Sequence, residues 1–423
     1  MTNSPSHPAP GSAPSPGRLI SGETSAPLRE AAGALAIDVQ AIQGPSAKRG
    51  LGRYVWDLTD ALLAMDGDEW SRSLVISPNA PVPPGFAELA SRADSVAHLP
   101  LPPVPFSELG SRVLAESYQR LEVFVEACLV GSPFEGFHDT RTATPNSAVA
   151  WADTTAAIVY DLIPMLFPSA YFAHRPDYER WYLDKLRLIS GAQQLLAISQ
   201  ATADDLVRVL GVDPALITVI GAGTGSAFGT SDKNAGQPSS AADAGRYFIS
   251  VYQSDWRKNQ QVIFEAFSLL PLRLRNWIKL VLVTSDDPET MGELGEYARR
   301  TGIDPDSFVV TGYIGDDELS GLYANALALL FPSVYEGFGL PALEAIRSGC
   351  LAITSDTPAL VEVCGTPDTT FGPRDPRALA TLMGRALDDE GWRRESHARQ
   401  LAASARFTWE NAALRAMSAI ANL

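Results

Sequence analysis

The stretch over residues 327–356, LALLFPSVYEGFGLPALEAIRSGCLAITSD, limits what this chain can fold into more than any other. An apolar run at 327–331 stops at Pro332 and passes into a glycine-containing turn, VYEGFG. The pattern restarts at Leu340-Pro341 as an amphipathic helix closed by Gly349, and a second apolar run follows at 351–354. Proline just inside a helix start and glycine just past its end is the usual asymmetry. The first turn has no use for proline's missing amide, and glycine accepts the left-handed cap. Two parallel strands can be joined only by a crossover, so strand, loop, helix and strand in this span predict a βαβ unit. The loop after the first strand then lies at the carboxyl edge of the sheet, where ligands bind.

Two carboxylates make that loop unusual. Glu336 lies in the turn, and Glu344 follows eight residues later, about one turn into the helix. Between them, Gly337 and Gly339 leave backbone amides uncovered at a helix N-terminus, which suits a phosphate. A phosphate alone would repel acidic neighbours, whereas ligand hydroxyls would use them as acceptors. A ligand with both phosphates and vicinal hydroxyls, a nucleotide sugar, satisfies both conditions. The plainer alternative makes Glu344 a solvated helix residue and Glu336 a helix-start carboxylate favoured by the macrodipole.

EGFGLPALE resembles the E-x7-E motif of family 4 retaining glycosyltransferases. These have the α/β GT-B fold, two Rossmann-like domains facing across a cleft. The resemblance implies that Glu336 lies by the donor sugar and that Glu344 holds the nucleotide ribose. It also implies that the amides of Gly337, Phe338, Gly339 and Leu340 approach the diphosphate.

The 423 residues, 46% of them hydrophobic, suffice for two domains of ordinary size. A net charge of −16 argues against nucleic acid and against a broad basic membrane-binding face. Cys128, Cys350 and Cys364 form no C-x-x-C, so neither a disulfide framework nor a zinc site is indicated, in keeping with a reducing cytoplasm. No run of eighteen apolar residues is present.

Residues 1–30, rich in Ser, Pro, Ala and Gly, read as a disordered tail. A first domain is expected over 31–223, with strands at 34–39, 73–76, 95–99, 155–160, 195–198 and 217–220. A helix at 53–65 follows RGLG, whose Gly50 and Gly52 let the backbone come close to a ligand. That segment resembles the family's glycine loop, which faces the cleft. Residues 107–130 carry helical spacing (Leu109, Val113, Tyr118, Leu121, Val125) and read as a core-packed helix. Glu135, His138 and Asp139 follow in a loop, a set that can position a sugar hydroxyl or move a proton. It resembles a loop of bacterial polysaccharide mannosyltransferases in the same family.

YDLIPMLFP at 160–168 resembles the family's HDLIPL segment, whose histidine lies by the donor sugar and the reacting centre. Here Tyr160 takes that place and Asp161 is retained. Tyrosine donates a hydrogen bond but, with a reference pKa of about 10, is a poor base near neutral pH.

A Gly/Ser/Ala-rich linker at 224–245 introduces a second domain over 246–405, with strands at 247–251, 278–284, 306–312 and 327–331. Arg257 and Lys258 stand at the start of a helix over 260–270, where the dipole disfavours cations, so an anionic partner is expected. The segment resembles the family's RKN motif, whose basic residues bind the donor diphosphate. Lys258 is expected to be exposed. Residues 406–423 form a last helix, which by the resemblance crosses back onto the first domain.

Rival enzyme classes lack their motifs. Asp66-Gly67-Asp68 follows a helix and Asp304-Pro305-Asp306 sits in a turn, not at strand ends as a metal-dependent transferase requires. No G-x-G-x-x-G follows the first strand, and GAGTG at 221–225 lacks the Lys-Ser/Thr of a phosphate loop. With the resemblance, the chain reads as a retaining hexosyltransferase with no cofactor and no metal. GDP-mannose is the first donor, and UDP-hexose and dTDP-rhamnose stay open. Its partners are then the nucleotide sugar and a polysaccharide or lipid-linked glycan acceptor, in the cytoplasm, with peripheral membrane association left open. The alternative, kept alive by Tyr160, is a catalytically silent nucleotide-sugar sensor or scaffold.

Overall fold

The computed structural model describes residues 33–43, 50–66, 70–76, 81–98, 123–130, 154–229, 245–252, 255–284 and 288–423. Short β-branched apolar runs alternate with amphipathic helices, which builds parallel sheets covered on both faces. The first sheet holds β1 (Gly33–Asp38), β2 (Trp70–Ile76), β3 (Ser95–His98), β4 (Val123–Val130), β5 (Thr154–Val159), β6 (Gln194–Ala197) and β7 (Ile217–Val219). Their spatial order is β3-β2-β1-β4-β5-β6-β7. The second sheet holds β8 (Arg246–Tyr252), β9 (Ile278–Thr284), β10 (Phe308–Val310), β11 (Leu329–Phe331), β12 (Ala352–Ser355) and β13 (Thr370–Phe371). Its order is β10-β9-β8-β11-β12-β13. Every strand pairing in both sheets is parallel. Strand order reverses between β1 and β4 and again between β8 and β11. At such a point successive crossovers diverge to opposite faces and open a crevice beyond the strand ends. The loops after β8 and β11 carry the basic and acidic residues singled out above.

Residues 107–130 are not one helix. Residues 123–130 are β4, in the middle of the first sheet, where Val123 lies between Leu35 of β1 and Thr154 of β5. Helical spacing accommodates VFVEACLV as well, but pairing on both edges with buried strands outweighs that local pattern. The glycine pair also shifts: the helix runs Gly50–Ala64, so Gly50 and Gly52 belong to its first turn.

The last helix, Trp409–Ile420, starts at Thr408, whose side chain accepts the Asn411 amide at 3.2 Å. Its Trp409, Ala412, Ala413, Ala416, Met417 and Ile420 are buried in one core with Leu35, Ile37, Tyr54 and Leu58 of the first domain. The crossing expected from the sequence is therefore present. Gly223 makes room for it: a Cβ there would lie 2.5 Å from the Trp409 amide nitrogen. A second core, with Phe248, Phe264, Phe267, Leu280 and Met383, lies within the second domain.

Candidate active site

After β8 the chain makes a short 3-10 turn, Trp256–Lys258, ahead of the helix Gln260–Leu269. Asp255 shapes the turn: its carboxylate accepts the Arg257 amide at 2.9 Å and also the Arg257 guanidinium. Asn259 then adopts φ 53°, a left-handed conformation that asparagine tolerates better than most residues. Its side-chain amide donates to the carbonyls of Pro332 (3.0 Å) and Pro373 (2.6 Å), tying the turn to the loop after β11.

That tie sets Lys258 against Glu336. Lys258 Nζ lies 2.7 Å from Glu336 Oε1 and 5.1 Å from the centre of the Phe331 ring. Burial alone would raise the Glu336 carboxyl, but Lys258 and Arg257 outweigh it and hold the group below its ordinary value. Glu336 is therefore an anion at neutral pH. Burial would lower the Arg257 guanidinium, yet Glu336, Asp255 and Asp161 among others keep it raised. Lys258, expected on the surface, is 15% exposed at its side chain because the loop after β11 folds over it.

The helix Leu340–Arg347 begins at Gly339, with φ 110° and no side-chain cap. A Cβ on Gly339 would fall 2.5 Å from Leu360 Cδ2, and one on Gly337 would fall 2.3 Å from the Tyr160 carbonyl oxygen. The Gly337 carbonyl accepts Ser199 Oγ (2.5 Å) and Thr202 Oγ1 (3.3 Å). Ser199 is also the N-cap of the helix Gln200–Leu210. The first domain thus grips the glycine loop directly. Phe338 is buried edge-on against Phe407 at 5.2 Å, and Leu340 packs on the same core.

Tyr160 follows β5. Its carbonyl accepts Thr202 Oγ1 at 3.1 Å, and its ring is buried edge-on against Tyr54 at 5.2 Å. Asp161, also buried, accepts the Ile163 amide at 3.0 Å. Burial and then the Asp161 charge push up the hydroxyls of Tyr178 and Tyr182, and Asp161 also helps to keep the Arg257 guanidinium raised. Glu135, His138 and Asp139 lie outside the described residues.

Glu344 is 3% exposed, and its partner comes from the other domain. Arg53, on the helix that opens with Gly50 and Gly52, donates to Glu344 Oε1 at 2.7 Å. Arg53 also lies 3.5 Å from Asp316 and over the Phe228 ring at 5.4 Å. Burial, only partly offset by Arg53, pushes Glu344 up to about 7 and Asp57 up to about 6. Gly52 is buried, whereas a Cβ on Gly50 would have nothing within 4 Å.

Sequence reasoning missed Arg53, Asp57 and Asp316 around Glu344, and Asp255, Asn259, Ser199 and Thr202 as supports. Arg53 lies 291 residues from Glu344, and no local spacing reports such a pairing. Asn259 was legible only as the third letter of the RKN segment.

Residues 232–406 match the family described as glycosyl transferases group 1. The serotype-specific mannosyltransferase WbdA of Escherichia coli is 30% identical over 404 residues, 92% of this chain and 48% of that protein. The O-antigen chain mannosyltransferase B of Escherichia coli is 33% identical over 175 residues, 41% of this chain and 45% of that one. The chain thus spans about half the length of these curated relatives. Among solved structures, sucrose-phosphate synthase from Thermosynechococcus elongatus has a TM-score of 0.68 at 18% identity, covering 92% of this chain and 98% of its own. HepE of Anabaena, in complex with UDP and glucose, has a TM-score of 0.67 at 16% identity, covering 92% and 100%. At such identity the likeness shows the fold, and that fold is GT-B.

Among the described residues, no group of three or more His, Cys, Asp or Glu side chains is placed to hold a metal ion. Asp304 and Asp306 are exposed in a turn, where the Asp304 carboxylate accepts the Asp306 amide at 3.0 Å. No helix among them is long and apolar enough to cross a membrane.

Proposed function

We propose that this chain is a family 4 retaining glycosyltransferase. It moves a hexose, with mannose from GDP-mannose as the first choice, from a nucleoside diphosphate sugar to a polysaccharide or lipid-linked glycan. The observation that carries the reading is the Lys258–Glu336 pair, with Arg257 beside it, facing an uncapped helix start at the strand-order reversal. The mannosyltransferase names of the relatives support the choice of sugar.

In this reading the diphosphate lies between Arg257, Lys258 and the amides of residues 337–340. These positive groups gain most when the bond from the sugar carbon to the phosphate oxygen breaks and charge builds on the leaving group. Lys258 then exchanges part of its contact with Glu336 for phosphate oxygens. Glu336, anionic and close by, faces the sugar carbon as it becomes electron-poor. Glu344 takes the ribose hydroxyls after giving up its contact with Arg53. The acceptor hydroxyl adds to the sugar carbon on the face the diphosphate leaves, and its proton passes to the phosphate oxygen freed by the broken bond. Asp161 and Tyr160 border this space from the first domain, Asp161 by its carboxylate and Tyr160 by its carbonyl.

The charge on the leaving group is met by these side chains and amides, so the reaction proceeds without a divalent metal. The test is release of nucleoside diphosphate by the purified chain from GDP-mannose, UDP-glucose and dTDP-rhamnose, with and without EDTA and a glycan acceptor. Acceptor-dependent release from one donor, unaffected by EDTA, is expected. Activity abolished by EDTA and restored by magnesium or manganese would overturn the metal-free reading, and no release from any donor the transferase reading itself.

A further inference from the structure

The turn that carries Arg257 and Lys258 begins with Trp256, which is 49% exposed although Asp255 and Arg257 on either side are buried. Phe167, from the first domain, meets the indole edge-on at 5.1 Å and meets Tyr335 at 6.0 Å. Tyr335 immediately precedes Glu336, and its hydroxyl donates to Asp205 of the first domain. Three rings, from the loops after β5, β8 and β11, thus form one row across the two domains. Each lies within a few residues of Asp161, Lys258 or Glu336. Packing does not account for a half-exposed indole at the edge of a charged site, because an indole gains most when its face is covered.

Two flat ligands could cover it, a nucleobase or a pyranose. The carboxylate assigned to the ribose, Glu344, is surrounded by Arg53, Asp316, Asp57 and Tyr323, and none of these belongs to the ring row. The ribose and base of the donor are therefore assigned to that cluster rather than to Trp256. A pyranose presents hydroxyls at its rim and weakly positive C–H groups on its face, complementary to the electron-rich face of an indole. We propose that Trp256, braced by Phe167 and Tyr335, is the platform on which a hexose ring of the acceptor glycan stacks. The inference rests on the transferase reading and adds an acceptor subsite to it. The rings come from both domains, so the platform is complete only when the domains are apposed.

The test uses the full chain saturated with guanosine, uridine or thymidine diphosphate, whichever raises its melting temperature most. The probes are methyl α-D-mannopyranoside and methyl α-D-glucopyranoside, read by saturation transfer from aromatic protein protons to the sugar ring. Transfer is expected in the wild type, weakened roughly threefold or more in Trp256→Ala and retained in Trp256→Phe. The nucleotide Kd should be unchanged in both variants. No transfer in a wild type that binds nucleotide, or equal transfer in Trp256→Ala, would overturn the platform and leave the transferase reading standing. A parallel loss of nucleotide affinity in Trp256→Ala would assign the indole to the donor instead. A wild type that binds none of these three nucleotides would remove both readings.

Discussion

Lys258 bears on the fold as well as on the proposed chemistry. The sequence predicts an exposed residue whose loss leaves unfolding little changed; instead it neutralises a largely buried carboxylate. Removing one partner of such a pair strands the other. Lys258→Ala is expected to lower stability by roughly 1–3 kcal/mol in urea titrations, with Arg257 limiting the loss. Adding Glu336→Gln should recover most of that stability. Transfer by Lys258→Ala should fall roughly tenfold to a hundredfold, if the lost contact acts in the transition state. The two carboxylates should separate kinetically. In the proposed mechanism Glu344 holds ground state and transition state alike, so Glu344→Gln should weaken nucleotide binding. In the same mechanism Glu336 faces changing charge, so Glu336→Ala should mainly lower turnover. Near wild-type constants for both variants would sink the site assignment.

At the scale of elements, the helix Gln200–Leu210 and the glycine loop act as one joint. Ser199 caps the helix through the Thr202 amide at 3.0 Å and reaches across the domains to the Gly337 carbonyl. At the same helix start, Glu362 of the second domain accepts the Gln200 amide at 2.9 Å. Ser199→Ala should cost about 1–2 kcal/mol for the lost cap, and the transfer rate should fall with it because the loop bearing Glu336 loses an anchor. Ser199→Thr keeps the hydroxyl and should retain both properties. Gly337→Ala is the harsher change, since its methyl group would meet the Tyr160 carbonyl. It should spare unfolding of the separate cores more than it spares activity. Unaltered kinetics in Gly337→Ala would show that the domains need not approach as closely as they do here.

For the whole molecule, the contact between domains carries a pH dependence. Asp57 and Glu344, from opposite domains, crowd around one Arg53, and burial raises both carboxyls. Between their unfolded values, near 4, and their folded values, near 6 and 7, the folded chain binds more protons than the unfolded one. Their contribution to stability is therefore full below about pH 4 and is lost as pH rises through about 7. The melting temperature of the wild type should fall from pH 5 to pH 8 relative to that of Glu344→Gln. A difference between the two proteins that does not vary with pH, or one that rises, would contradict this assignment.

Local sequence determined most of the parts. The run from β11 through the glycine turn and helix to β12 follows from apolar period, proline and glycine placement, and the Glu336–Glu344 spacing lies within that one unit. Arg257 and Lys258 were legible because two cations at a helix start conflict with the dipole unless something anionic meets them. Three things were decided only by tertiary structure. Residues 123–130 became a central strand because two neighbouring strands needed a partner there, and helical spacing could not report that. Lys258 became largely covered because Asn259 pulls its turn against the β11 loop. Glu344 acquired Arg53, and Gly337 acquired Tyr160, Ser199 and Thr202, because two domains meet at their strand ends. Spacing along the chain encodes what lies within a few residues. Burial, and the charge balance that burial enforces, depend on groups that only folding brings together.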